Sequence, residues 1–330
     1  MKIPGSVSLF AVFLAGAAPA NAFDCAKSTT KVEKAICSDR ALGAADADMA
    51  NAYAAVRNAS NPSEKKMLAL SQRRWIEQRE NYCGFEDGVV LAACITKETI
   101  TRGLFLQGAP ESGPGASSAL IPVFLQQRGD TKHYDLDYAL VRFANPQSAG
   151  EKLFNLQSEK ILAEAPLGAR DQELVEGQML AREESFTISF ASPDLLSVAA
   201  SFYAFEGGAH GNGGVTNINI DMRGGTEIRT SDVFAGEAIN SLTLSCREQI
   251  LARKQENYGA EKYVPEEDGN YQESTIAEHI SDFRRWSVFA SKIIVTFDSY
   301  AIGAYAEGPY ECEFAMPQLK ALAKPDAPLP

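Results

Sequence analysis

Apolar positions recur along this chain at two spacings, and the change between them divides it. In the first third they recur every three or four residues. Leu42, Met49, Tyr53 and Val56 line one such face after Asp39, a residue suited to cap a helix. Asn61-Pro62 ends that helix and opens another, with proline in the first turn, and Leu68, Ser71, Trp75 and Gln78 share a face of it. A short helix through Cys37 precedes both, capped by Ser28 or Thr29, with Glu33 placed to favour its start. A last helix is predicted from about Val89 to Leu106. Many Ala, Glu, Lys and Gln and few β-branched residues agree with helices here.

Residues 107–118 are rich in Gly, Pro and Ser and read as a linker. Beyond them the pattern turns to alternation. Strands are predicted at Tyr134–Phe143, Ser185–Phe190, Leu195–Phe205, Val215–Asp221, Trp286–Phe289, Lys292–Phe297 and Tyr310–Phe314. Helices are predicted at Ser148–Leu162, Glu237–Glu256 and Ser274–Phe283. The fold class is α + β: an all-α module over 23–106, then an α+β module over 119–323. The second module should hold an antiparallel or mixed sheet packed by helices. The tail over 324–330 has three prolines and is expected to fray.

The first 22 residues read as a signal peptide. Lys2 is followed by an apolar run from Ser8 to Ala18, too short for a membrane span, and Ala20-Asn21-Ala22 resembles a cleavage site. The mature chain would start at Phe23 and work in the periplasm or outside the cell. No later apolar stretch is long enough to cross a bilayer. Export makes the six cysteines disulfide candidates. A metal site is not expected, because no Cys-x-x-Cys pair occurs and His133, His210 and His279 are scattered. The helices flanking Asn61-Pro62 should be antiparallel, which favours Cys37 with Cys83 and Cys25 with Cys94. The other two pairings of these four remain open. Cys246 should tie a long helix to the last strand through Cys312.

Charge is uneven. Residues 23–106 carry 12 Lys and Arg against 11 Asp and Glu; residues 107–330 carry 18 against 32, a net of −14. Such a module repels nucleic acid and steers cationic partners, although solubility alone would also explain it. No nucleophile elbow, zinc helix or phosphate loop is present, and no cofactor is expected. Two loops stand out. In Gly207–Gly214, glycine permits positive φ and close backbone approach. Its plainer reading is a tight connection braced by His210 and Asn212; its functional reading is a loop that presents them. Tyr300–Tyr310 spaces three tyrosines with small residues, which suits a rigid recognition surface. The plainer reading half-buries Tyr300 and Tyr310 at strand ends; Tyr305 is expected outside and the other two in the core. Arg73, Arg74 and Arg79, interleaved with Glu77 and Glu80, read as a solvated face. Asp135 and Asp137 share one side of a strand, a weak sign of catalysis.

Two resemblances add to this. Phe23-Asp24-Cys25-Ala26-Lys27, Lys31–Cys37, Gln72-Arg73-Arg74-Trp75, Arg79, Cys83 and Cys94 resemble the LprI-type domain, named for a bacterial lysozyme-inhibiting lipoprotein. Tyr203, Gly207–Asn212, Asp232-Val233-Phe234, Phe297–Tyr300, Gly303, Ala304, Tyr305 and Gly308 resemble the RsiV-type C-terminal domain, also found behind a PdaC-type deacetylase domain. The RsiV family includes a lysozyme receptor. The resemblances imply an envelope protein that binds, and by extension inhibits, lysozyme. The contact expected is the loop of Gly303, Ala304, Tyr305 and Glu307, with His210 and Asn212 as neighbours. The alternatives are a module binding peptidoglycan or another envelope component, and an unrecognised hydrolase using His210.

Overall fold

The computed structural model describes residues 24–169, 178–259 and 262–330. The expected signal peptide lies outside them. The front of the chain forms α1 (Lys31–Ser38), α2 (Arg40–Ala59), α3 (Pro62–Cys83) and α4 (Gly88–Gln107). The cap of α1 is Thr30, just beyond the residues expected. Glu33 decides this: its carboxylate accepts the Thr30 N–H while Thr30 Oγ1 accepts the Glu33 N–H, a reciprocal pair that needs the acid three residues into the helix. Asp39 caps α2 and Asn61 caps α3, the latter with Glu64 in the same reciprocal arrangement and Pro62 in the first turn.

The next elements are β1 (Leu120–Gln127), β2 (Asp135–Phe143), α5 (Ala149–Ala163), β3 (Ala181–Ala191), β4 (Leu195–Phe205), β5 (Asn212–Asp221) and β6 (Thr226–Glu227). The strands form one sheet in chain order. It is mixed: α5 carries the chain across so that β2 and β3 run parallel, and the other neighbours are antiparallel. The sequence reading missed β1, whose apolar run does not alternate and contains Pro122; the strand lies at the sheet edge, where proline is tolerated.

The last part consists of α6 (Thr230–Val233), α7 (Gly236–Tyr258), α8 (Glu273–Ser281), β7 (Trp286–Val288), β8 (Lys292–Phe297), β9 (Tyr310–Ala315) and α9 (Met316–Leu322). Strands β7, β8 and β9 form a second, antiparallel sheet. This small sheet packs with α7, α8 and α9 around Trp286, Leu242, Ile250 and Phe314. A third cluster, of Val32, Ile36, Leu42, Leu91 and Ile95, sits at the disulfide end of the front helices.

One of the cores is shared between front and back. Met49, Leu68, Phe105 and Leu106 from the helices are buried in one cluster with Leu136, Leu140, Phe154 and Ile188. Arg74 reinforces the junction. Its guanidinium donates to the carbonyls of Leu136 (2.8 Å) and Gln127 (3.1 Å) and to Asp135 Oδ1 (2.7 Å). Arg79 is also buried, donating to Asp46 Oδ1 and Thr99 Oγ1. The solvated arginine face therefore holds for Arg73 but fails for Arg74 and Arg79, because sheet and α4 bring acceptors that local spacing could not reveal.

Three further expectations are corrected. The front disulfides are Cys25–Cys37 and Cys83–Cys94, not Cys37–Cys83 with Cys25–Cys94. Each closes a local turn: Cys25 precedes α1, which carries Cys37, while Cys83 ends α3 and Cys94 lies near the start of α4. Sequence separations of 12 and 11 make each bridge worth about 3 kcal/mol in the chain-entropy picture. Cys246–Cys312 joins α7 to β9 as expected. The 107–118 segment is tied down rather than free. Parallel pairing of β2 with β3 ends at Ser185, and the segment occupies the edge beyond it, with Glu111 N–H donating to Ile188 O and Gly115 N–H to Ala191 O. The tail is likewise docked: Lys324 N–H donates to Val233 O, and Leu329 packs against the last core.

Arg74→Met should lower unfolding free energy by about 2–4 kcal/mol, since it strands Asp135 and two carbonyls at the junction. Urea denaturation followed by circular dichroism would measure this, and an unchanged midpoint would contradict the role given to Arg74.

Candidate functional site

One face of the six-stranded sheet carries α5, whose Phe154 meets Phe186. Strand register sets the opposite face. Asp137 stands beside Glu183, Glu183 beside Tyr203, and Tyr203 beside Gly213. The next row is Ala139, Ser185, Ser201 and Val215. The front helices cover the β1–β2 end of this face, where the Phe105 and Phe124 rings meet edge to face at 5.7 Å. The small sheet covers the β4–β5 end: the Asn219 amide donates to the carbonyls of Phe283 and Trp286, and Val288 N–H donates to Ser197 Oγ. Between the two covers a cleft of about 780 Å³ remains. Trp75, Thr101 and Arg102 form one wall; Phe289, Thr296 and Tyr305 form the other.

The cleft is rich in carboxylates. Burial pushes the Asp137 carboxyl up, against a hydrogen bond from Gln126 and the charges of Arg74 and Arg102. Burial also raises Glu183, helped by Asp137, and raises Glu111. Arg102, at the base of one wall, is pushed down to about 10 by burial, although Asp137 opposes the shift. It donates to Gln72 Oε1 and Ser71 Oγ and lies over the rings of Trp75, Phe105 and Phe124.

An aromatic cluster forms at the rim. The His210 ring stacks on Tyr305 with centroids 4.0 Å apart, and Tyr300 OH lies 3.0 Å from His210 Nε2. His210 Nδ1 is 2.8 Å from Gly211 O. The glycine run thus folds into a tight connection, with positive φ at Gly207 and Gly208, and also delivers His210 to the tyrosine loop. A hydrolase reading needs a carboxylate at His210; the ring instead meets a carbonyl and a phenol.

The tyrosine loop is held from beneath. The Glu307 carboxylate accepts the Ala304 N–H, the Tyr310 hydroxyl and Lys254 Nζ. Lys254 is fully buried and also donates to Asp268 at 2.7 Å. Burial alone would raise both carboxyls, but the hydrogen bonds and the Lys254 charge outweigh it and hold both below the usual range. Asp298 ties the same loop to the large sheet by accepting Val215 N–H and pairing with Arg285. Only glycine fits at 214, where a Cβ would lie 2.7 Å from the Asp298 carboxylate.

The expected residues therefore separate. Tyr305 and His210 come together at the rim. Gly303 is buried, Ala304 half-buried, and Glu307 faces inward as a brace. Asn212 is exposed at the start of β5. Tyr310 is buried as expected, but Tyr300 is 55% exposed rather than core, with φ of 73°. A positive φ at a non-glycine residue stores strain of the kind found at functional sites. Sequence reasoning missed Glu183 and Glu111, and met Tyr203 only within the RsiV-type resemblance. Asp137 was seen only beside Asp135, because its true neighbour, Glu183, is set by strand pairing.

Comparison with known proteins fits this division. Residues 25–106 match the family model described as "Lysozyme inhibitor LprI", and residues 231–316 match that of "Protein of unknown function (DUF3298)". The chain thus contains an LprI domain and a DUF3298 domain. No curated protein matches it. A DUF3298 family member from Bacteroides fragilis NCTC 9343 is similar in structure at 16% identity and a TM-score of 0.44, over 63% of this chain and 94% of that one. A DUF3298 family protein from Pseudomonas aeruginosa PAO1 is similar at 16% identity and a TM-score of 0.43, over 64% and 97%.

Lys254→Met should leave Asp268 and Glu307 buried without their cation and cost about 3–5 kcal/mol. Because both carboxyls are depressed in the folded state, their contribution is present above the ordinary carboxylate range and is lost as pH falls through the lowered values. The variant's deficit should therefore shrink in acid; thermal melts at neutral and acid pH would check this.

Proposed function

We propose that the chain is an exported cell-envelope protein that binds lysozyme and inhibits it by occupancy rather than by chemistry. The match of residues 25–106 to a family described as a lysozyme inhibitor carries this reading. Three disulfides suit an oxidising compartment, in keeping with the leader-like start. The resemblance of the back module to RsiV-type receptors adds a second lysozyme binder. The partner chemistry also fits: common animal lysozymes are small and cationic, while residues 107–330 are net −14 and the cleft holds desolvated carboxylates. Tyr305, stacked on His210 and braced by Glu307, is a preorganised contact at the cleft mouth.

A second reading places a peptidoglycan glycan strand in the cleft, where Trp75, Tyr203 and Tyr305 offer rings for stacking on sugars. Retention on purified sacculi, with no effect on lysozyme, would favour it.

Purified protein should slow lysozyme clearing of a cell-wall suspension, and Tyr305→Ala should weaken binding about tenfold, the loss of one aromatic anchor. Unhindered clearing together with no binding at low salt would sink the reading. Affinity should rise with pH just above the ordinary carboxylate range. The raised Asp137, Glu183 and Glu111 must lose their protons before they can pair with a cation, so binding should release protons there. Calorimetry in buffers of different ionisation enthalpy would read that release.

A further inference from the structure

The Cys83–Cys94 bridge closes the turn between α3 and α4. Cys83 itself is buried among Val32, Ile36, Leu91 and Ile95. The side chains around it are not: Tyr82 is 70% exposed, Phe85 87%, Val89 86% and Val90 58%. Single exposed apolar residues are ordinary, but four within nine residues mark a contact surface. The turn is also fixed, since Lys31 donates to Gly84 O and pairs with Asp87 at 2.8 Å. A rigid apolar projection loses little freedom when it docks.

Charge limits what can cover it. From Glu80 to Thr96 the chain has Glu80, Glu86 and Asp87 and no Lys or Arg. Glu86 and Asp87 are exposed beside Phe85. Lys31 already pairs with Asp87, so the surface is apolar at its tips with the Glu86 carboxylate as the acid left at its collar, and it complements an apolar recess edged by a basic group. Its position fits the same partner. A hollow of about 570 Å³ beside Tyr82 shares Trp75, Gln78 and Glu98 with the lining of the cleft. The lining thus runs without a break from Tyr305, across the cleft, to Tyr82 at the start of the clamped turn.

We propose that the disulfide-clamped turn at 82–90 is a second contact for the cationic partner, with Phe85 and Val89 seated in an apolar recess of it and Glu86 facing a basic side chain at the edge. This rests on the lysozyme reading and gives the LprI domain its own part in it. The partner would straddle both modules, which requires them to be held as one body, as the shared core holds them.

Binding of the mature chain to an animal-type lysozyme, measured by calorimetry, tests this. Phe85→Ser with Val89→Ser should weaken binding at least tenfold, with circular dichroism and melting temperature unchanged, since both side chains are exposed. Glu86→Lys should weaken it in a manner that fades as salt rises. If the wild type binds and both variants bind equally well, the clamped turn is not a contact, while the Tyr305 reading stands. If the wild type does not bind, both ideas fall together. A wild-type dimer that the double variant abolishes, with lysozyme affinity unchanged, would assign the turn to a second copy of the chain and overturn the proposal.

Discussion

The junction at Arg74 is the constraint on which the rest of this structure depends. A guanidinium on a front helix reaches two carbonyls and a carboxylate at the end of the β1–β2 hairpin. Planar and always charged, it satisfies several acceptors at once, which a lysine could not do in the same geometry. The helices are thereby fixed on one end of the sheet face, where Phe105 meets Phe124 and the apolar cluster becomes continuous. The small sheet is fixed on the other end by asparagine-to-carbonyl bonds. The cleft is what these two attachments leave uncovered. Its walls come from different modules, so neither module would form it alone.

Carboxylates serve opposite purposes on the two sides of the tyrosine loop. Beneath it, Glu307 and Asp268 surround a buried ammonium and are stabilised as anions. In the cleft, burial of Asp137, Glu183 and Glu111 outweighs the donors and cations around them and favours their neutral forms. The first group is satisfied within the fold and holds a scaffold. The second is pushed toward its neutral form because burial outweighs the nearby cations and donors. The aromatic rim stands between them, ordered by one set and adjacent to the other.

Much of the architecture was legible in the sequence. Caps and proline located α2 and α3, and alternation located β2, β4, β5 and β8, because these signals act over a few residues. The failures share a cause. The expected pairing of Cys37 with Cys83 and Cys25 with Cys94 followed from helix direction, whereas the bridges close turns next to each cysteine. Arg74 and Arg79 had acidic neighbours in sequence and resembled a surface face, yet their partners come from the sheet and from α2 and α4. The non-alternating β1 was overlooked because an edge strand against helices need not alternate. Tyr300 was assigned to the core, and His210 drew it out to the rim.

By itself, the sequence determined the classes of element, the division near residue 107, the acidic back module and the two loops worth attention. Each is a property of composition or of spacing within one segment. The tertiary structure decided that the two modules share a core, that Tyr305 and His210 stack, and that Asp137 faces Glu183 across a cleft. It also decided that Glu307 braces the tyrosine loop from beneath. These relations join residues tens of positions apart, and no local pattern encodes them. They follow from strand register and from the packing of helices on a sheet, which the whole chain settles together.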